Sequence, residues 1–196
     1  MYQGFYVHDM WEMYSPEGKR HTPWRTDALN PQSVLLGGGC RAIDLILTAA
    51  SSNPVEVSAY ANRLAGSDLP IDDSYVVNIV FEDGVLANVL VTTGANGVSF
   101  TPGYFNVYGT GGTIIKDTFY RRGEDPEQLG RMSPEVGGGH NWQSAFERFI
   151  NTVDGLSPDP VPADIAALNV AVCAAATESV KIGRPVKPEI PETHAP

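Results

Sequence analysis

Two short stretches hold the residue types best suited to chemistry: Pro23-Trp24-Arg25-Thr26-Asp27, and Leu35-Leu36-Gly37-Gly38-Gly39-Cys40-Arg41-Ala42-Ile43-Asp44. Arg41 presents a fork of donors that suits an anionic or polyhydroxylated ligand. It cannot act as a general base near neutrality, because a guanidinium pKa stays above about 12. Asp44 lies one helical turn from Arg41 on the same face, placed either to orient it or to satisfy helix-end donors. His21, on a polar loop ahead of Trp24, is a candidate substrate contact; its alternative is a solvated imidazole. His8 reads as a hydrogen-bonded histidine on a strand among aromatics. His140 follows three glycines, and Asn141 as a helix N-cap accounts for part of that run, with a ligand role for His140 left open. Lys116 and Lys181 carry no apolar surroundings in sequence that would lower their pKa.

These residues must be positioned by a small set of elements. Tyr2-Gln3-Gly4-Phe5-Tyr6-Val7 reads as an opening strand, residues 14–33 as a long polar loop, and Gly39 to Ala50 as a helix. A strand follows over 55–61 by alternation. The clearest hairpin joins Tyr75–Phe81 to Val85–Val91 through Glu82-Asp83-Gly84, with Asp-Gly as a two-residue turn. That register sets Val80 opposite Ala87 and Asn78 opposite Val89. It predicts two apolar faces: Tyr75, Val77, Ile79, Phe81, Leu86 and Leu90 on one, Val76, Val80, Ala87, Val89 and Val91 on the other. An antiparallel sheet usually wets one side, so the second face calls for another subunit.

Further strands are expected at 104–109 and 112–121, and a charged, then glycine-rich loop at 122–139. An amphipathic helix over 141–154 follows from Trp142, Phe146, Phe149, Ile150 and Val153. A last helix runs from Pro162 to Lys181, stopped by Gly183 and Pro185, with alanines at 166–167 and 174–176 for close packing. Strands and helices that do not alternate as βαβ predict an α+β domain: an open, mostly antiparallel sheet with helices on one face, the other used for oligomerisation. No internal repeat and no break in composition divides residues 1–196.

Composition narrows the function classes. With 196 residues, 42% of them hydrophobic, the chain can bury a substantial core, and a net charge of −10 leaves no basic stripe for nucleic acid. Lys19-Arg20-His21 reads as a solvated cluster. No apolar run approaches the roughly 20 residues of a membrane helix, and the N-terminus lacks signal-peptide features. Cys40 and Cys173, inside apolar helical patterns, read as buried thiols in a reducing cytoplasm. No Cys/His spacing suggests zinc. Gly109-Thr110-Gly111-Gly112 leads into a strand and reads as a turn, not a pyrophosphate loop. Gly37-Gly38-Gly39 has no following lysine, which favours close backbone approach over phosphate binding. No dinucleotide fingerprint is left.

The order of Trp24-Arg25, Gly39 and Asp44, the Phe81-Glu82-Asp83-Gly84 hairpin, Val107-Tyr108-Gly109-Thr110-x-Gly112 and Glu178-Ser179-x4-Gly183-Arg184-x-Val186 resembles the C-terminal domain of the Gfo/Idh/MocA oxidoreductases. In that family a tryptophan–arginine pair precedes a D-x-G-x-H-x-x-D run, whose catalytic aspartate and histidine fall here on Gly37 and Arg41. The resemblance implies a single substrate and oligomerisation domain over 1–196, with the Rossmann domain and the E-K-P lysine absent. The implied substrate residues are His21, Trp24, Arg25, Arg41, Asp44 and His140, with no confident catalytic residue and no metal. It implies a sugar, polyol or related small molecule as ligand, a homo-oligomer through the sheet face, no nucleic acid and no membrane. No cofactor is expected in this chain, and NAD or NADP in a full-length parent. The preferred expectation is part of an NAD(P)-dependent oxidoreductase, inactive alone, excised or naturally truncated. The alternative is a stand-alone carbohydrate-binding or dimerisation module.

Overall fold

The computed structural model describes residues 1–65, 68–97, 104–129, 142–159 and 162–189. One eight-stranded sheet runs in the order β2-β3-β4-β1-β5-β6-β7-β8. Its strands are β1 (Tyr2–Val7), β2 (Pro54–Asn62), β3 (Ser74–Phe81), β4 (Leu86–Thr92), β5 (Tyr104–Gly109), β6 (Gly112–Ile115), β7 (Thr118–Tyr120) and β8 (Glu127–Gln128). All neighbours are antiparallel except β1 and β4, which pair in parallel at the centre. This is the α+β architecture expected from the non-alternating order of elements.

The β3–β4 hairpin differs from the sequence expectation by one residue. Val80 faces Leu86, Ile79 faces Ala87 and Asn78 faces Asn88. Phe81 and Val85 close a three-residue loop, with Gly84 in the left-handed region at φ 80°. Asp83 Oδ1 accepts from the Val85 N–H, which holds that longer loop. A one-residue slip exchanges which side chains share a face. Tyr75, Val77, Ile79, Phe81, Ala87, Val89 and Val91 therefore form one buried face, and Val76, Asn78, Val80, Leu86, Asn88 and Leu90 the other. The second face, expected to be apolar throughout, is striped instead. Ser58, Asn78, Asn88, Gln3 and Asn106 stand in one row across five strands. Asn88 donates to Asn78 at 2.9 Å, and Tyr108 donates to Gln3 at 3.1 Å.

The stretch 112–121 is also not a single strand. It folds back at Lys116-Asp117, where Lys116 takes φ 57° and its N–H donates to Asn106 Oδ1. The polar 14–33 segment starts from a short helix, α1 (Trp11–Tyr14), and contains a 3-10 turn at Pro23–Arg25.

Helix α2 (Cys40–Ala49), entered through a π turn at Leu35–Gly39, and helix α4 (Ala163–Ile182) cover the buried face. Ile43 and Ile46 from α2, and Val172 and Ala176 from α4, meet Val57, Val77 and Val89 in one core. The alanine-dense packing expected of α4 holds at Ala175 and Ala176, while Ala166 and Ala174 are exposed. By length and composition alone α4 suffices to cross a bilayer, contrary to the expectation that no run would. Here its buried stripe lies on the sheet. The end of α4 and the segment after it close the edge of β2: Ser179 Oγ accepts from the Ala59 N–H, and Val57 and Val186 exchange backbone hydrogen bonds of 2.8 Å. Gly183, at φ 69°, makes the reversal that returns the chain to that edge. Covering an edge this way removes a template for stray strand pairing. Helix α3 (Trp142–Val153) is amphipathic as expected, yet Phe146 and Phe149 are 65% and 59% exposed.

Candidate functional site

The parallel pair β1/β4 delivers two chain ends to one place. Tyr6 and His8 arrive from β1, Thr93 from β4, and the π turn with the first turn of α2 closes the side. Between them lies a cavity of about 320 Å3, lined by Tyr6, His8, Met10, Met13, Tyr14, Arg20, Arg25, Val34, Gly37, Gly38, Arg41 and Thr93.

The glycine run makes this approach possible. A Cβ on Gly38 would overlap the Tyr6 phenol, and one on Gly39 would lie 2.8 Å from a Val91 methyl. The run therefore serves contact with sheet side chains, and the tyrosine ring fills the space that side chains would take. Tyr6 in turn points its hydroxyl toward His8 Nδ1 at 3.4 Å, the rings meeting edge to face.

Burial shifts three titratable groups of the wall. It raises the Tyr6 phenol, partly offset by Arg41, and pushes the Tyr14 phenol up to about 12. Both phenols stay protonated and available as donors. Burial lowers the His8 pKa below the usual imidazole value; Asp9 opposes this and Arg41 adds to it. At pH 7 His8 is therefore neutral and able to take up a proton.

Arg25 is held in place by its neighbours. Its guanidinium carbon sits 4.4 Å from the centre of the Trp24 ring, and it donates to the Gln32 side-chain oxygen. Its Nε is buried with no hydrogen-bond partner among the described residues. Arg41 Nη1 donates to the Gly37 carbonyl at 3.1 Å, one turn back.

Of the residues singled out in sequence, the cavity brings together Arg25 and Arg41, with Gly37 in the wall where the family pattern has its aspartate. Trp24, 57% exposed, lies behind Arg25 and off the wall. Asp44 faces α4, where Asn169 donates to it at 3.5 Å, so it does not orient Arg41. Burial raises the Asp44 pKa, with the Asn169 contact opposing. His21 lies off the cavity wall, with Nε2 buried and unpartnered among the described residues. His140 falls outside the described residues. The wall also contains three groups that sequence patterns do not mark as site residues: Tyr6, His8 and Arg20. The polar neighbours of Arg20 give it the look of a solvated cation, and His8 is hidden by its place just past the end of β1.

No group of three His, Cys, Asp or Glu side chains converges as metal ligands would among the described residues. Nor do the two glycine runs fit a dinucleotide. Gly109 to Gly112 is the β5–β6 hairpin turn, and Gly37–Gly39 is packed against Gln32, Tyr6 and Val91.

Residues 5–115 match the sequence model of the GFO/IDH/MocA C-terminal domain. The chain belongs to this family. Solved structures share its fold at low identity. An NAD-binding oxidoreductase from Klebsiella pneumoniae is 17% identical with a TM-score of 0.73, over 96% of this chain and 58% of that one. The WlbA dehydrogenase from Bordetella pertussis, in complex with NADH and UDP-GlcNAcA, is 14% identical with a TM-score of 0.70, over 97% and 56%. The myo-inositol 2-dehydrogenase from Lactobacillus plantarum is 19% identical with a TM-score of 0.67, over 96% and 56%. The chain thus spans little more than half the length of these enzymes. Among curated proteins no sequence matches it.

Proposed function

We propose that this chain is the substrate-binding and subunit-contact part of an NAD(P)-dependent oxidoreductase acting on a sugar, polyol or related compound. The observation that carries the reading is the cavity at the shared ends of β1 and β4, walled by Gly37 and Arg41, the positions where the family pattern has its aspartate and histidine. Because the glycine runs do not fit a pyrophosphate, the nicotinamide is assigned to other residues than these. Cys40 and Cys173, both free thiols, support a reducing, cytoplasmic setting.

Oxidation of a hydroxyl to a carbonyl releases a hydride and a proton, and the proton needs an acceptor titrating near the working pH. Arg41 cannot be that group. His8 in the same wall can, since burial keeps its imidazole neutral. In the tautomer whose Nδ1–H donates to the Tyr6 oxygen, that contact fixes the ring's orientation and Nε2 is the nitrogen that takes the proton. Trp24, His21, Asp44 and His140 keep the substrate-side assignment that the family pattern implies. For the subunit contact, the striped outer face of the sheet is the proposed surface, joining two copies of the chain.

Titration with hexoses, hexuronates and inositols, followed by the imidazole resonances in NMR, tests the site. At least one of them is expected to move the His8 signals by far more than any other region of the chain. Ligands that leave His8 unmoved would remove the cavity as the substrate site.

A further inference from the structure

The charge in the cavity wall is of one sign. Arg20, Arg25 and Arg41 line it and no described Asp or Glu does, in a chain where 23 acidic residues outnumber 13 Lys and Arg. Carboxylates on the same elements are held by other donors, and of them Asp9 is near enough to act on His8 in the wall. Asp9 accepts from the N–H groups of Trp11 and Gly97, Glu12 from that of Lys19, and Asp44 from Asn169. Like charges gathered in a partly desolvated space repel one another, more strongly there than in water. A guanidinium cluster without acids in the wall is the arrangement an anion relieves.

Arg25 adds an independent sign. The Trp24 ring and Gln32 hold its plane, yet its buried Nε–H has no acceptor among the described residues. Buried donors are almost always paired in a protein at rest, so an orphan beside a cavity marks where an acceptor arrives. A pre-held guanidinium offers two parallel N–H groups to an oxyanion at little entropic cost.

We infer that the substrate carries an oxyanion, a carboxylate or a phosphate on a sugar-like skeleton, held by Arg25 and Arg41 with Arg20 at the rim. This rests on the cavity being the substrate site, and it narrows that reading from sugars and polyols at large to their acids and phosphate esters. Since the chain is acidic overall, long-range repulsion opposes any anion, and the local cluster must supply the attraction.

Calorimetry with the chain at low salt tests it, using D-glucuronate, D-glucose 6-phosphate, D-glucose and inorganic phosphate. One of the two anionic sugars is expected to bind roughly tenfold or more tightly than glucose, the weight of one charge-assisted pair. Which of the two does so separates a carboxylate from a phosphate, and inorganic phosphate alone reports whether the sugar skeleton contributes. Arg25→Gln and Arg41→Gln should each abolish that preference, bringing the anionic sugars down to the affinity of glucose measured on the same variant. Arg20→Gln, at an exposed position, should lower anion affinity about threefold and flatten its salt dependence. Equal binding of glucose and the anionic sugars overturns the inference and leaves the substrate site standing. Anion binding that survives both Arg25→Gln and Arg41→Gln overturns it as well. Absence of binding by every sugar removes both readings together.

Discussion

At position 41 a guanidinium occupies the place of a titratable ring, and the imidazole of the same cavity comes from residue 8 on another element. The two are linked electrostatically: Arg41 and burial both lower the His8 pKa, with burial the larger cause. NMR titration of His8 should therefore give a midpoint below the ordinary 6.5. Arg41→Gln should raise that midpoint without restoring it fully, because burial persists; an unchanged midpoint would break the link. The same shift has a stability consequence. The native state binds the His8 proton less readily than the unfolded chain does. Stability attributable to His8 is thus present above pH 6.5 and is lost as pH falls through its lower native value. His8→Asn should flatten that part of the stability profile. Arg41 was legible in sequence because its neighbours form a motif. His8 was not, because alternation along a strand says which face a residue takes but not what stands beside the strand's end.

At the scale of elements, the short motifs near the C-terminus turn out to serve the sheet edge. Ser179 supplies the acceptor for the Ala59 N–H inside the protein. Ser179→Ala leaves that buried donor unpaired, and denaturant unfolding should show a loss of about 1–3 kcal/mol. Gly38→Ala forces a methyl group into the Tyr6 ring and should cost about 1–3 kcal/mol by the same measurement, as overpacking does. A loss under half of that would mean the π turn gives way. Sequence signals for helices were reliable here because Pro162, Gly183 and the apolar spacing each act locally. The hairpin register was not, because Asp83-Gly84 is compatible with a two- or a three-residue loop. Only the packing of Ile79, Ala87 and Val89 beneath α2 and α4 selects between them. That one residue decided whether Asn78 and Asn88 faced each other on the outside.

At the scale of the whole molecule, the outer sheet face lies on the side opposite the buried face that α2 and α4 cover. An amide row from Ser58 to Asn106 runs beside an apolar row in which Tyr60, Val76, Leu90 and Phe5 are cross-strand neighbours. Tyr60 is 79% and Val76 41% exposed. Apolar side chains in a continuous row on a flat sheet favour a second sheet above them, and the amides can pair across a two-fold axis without leaving donors unsatisfied. Light scattering of the unaltered chain at high micromolar concentration should therefore give at least twice the protomer mass. Val76→Lys sets a charge in the middle of the apolar row. Because Val76 points away from the core, the substitution should change folding stability by less than about 0.5 kcal/mol. It should nevertheless shift the mass to that of a single chain, since desolvating an unpaired ammonium at a subunit contact is costly. A monomer before the substitution, or an oligomer that survives it, would show that this face is not where the copies meet.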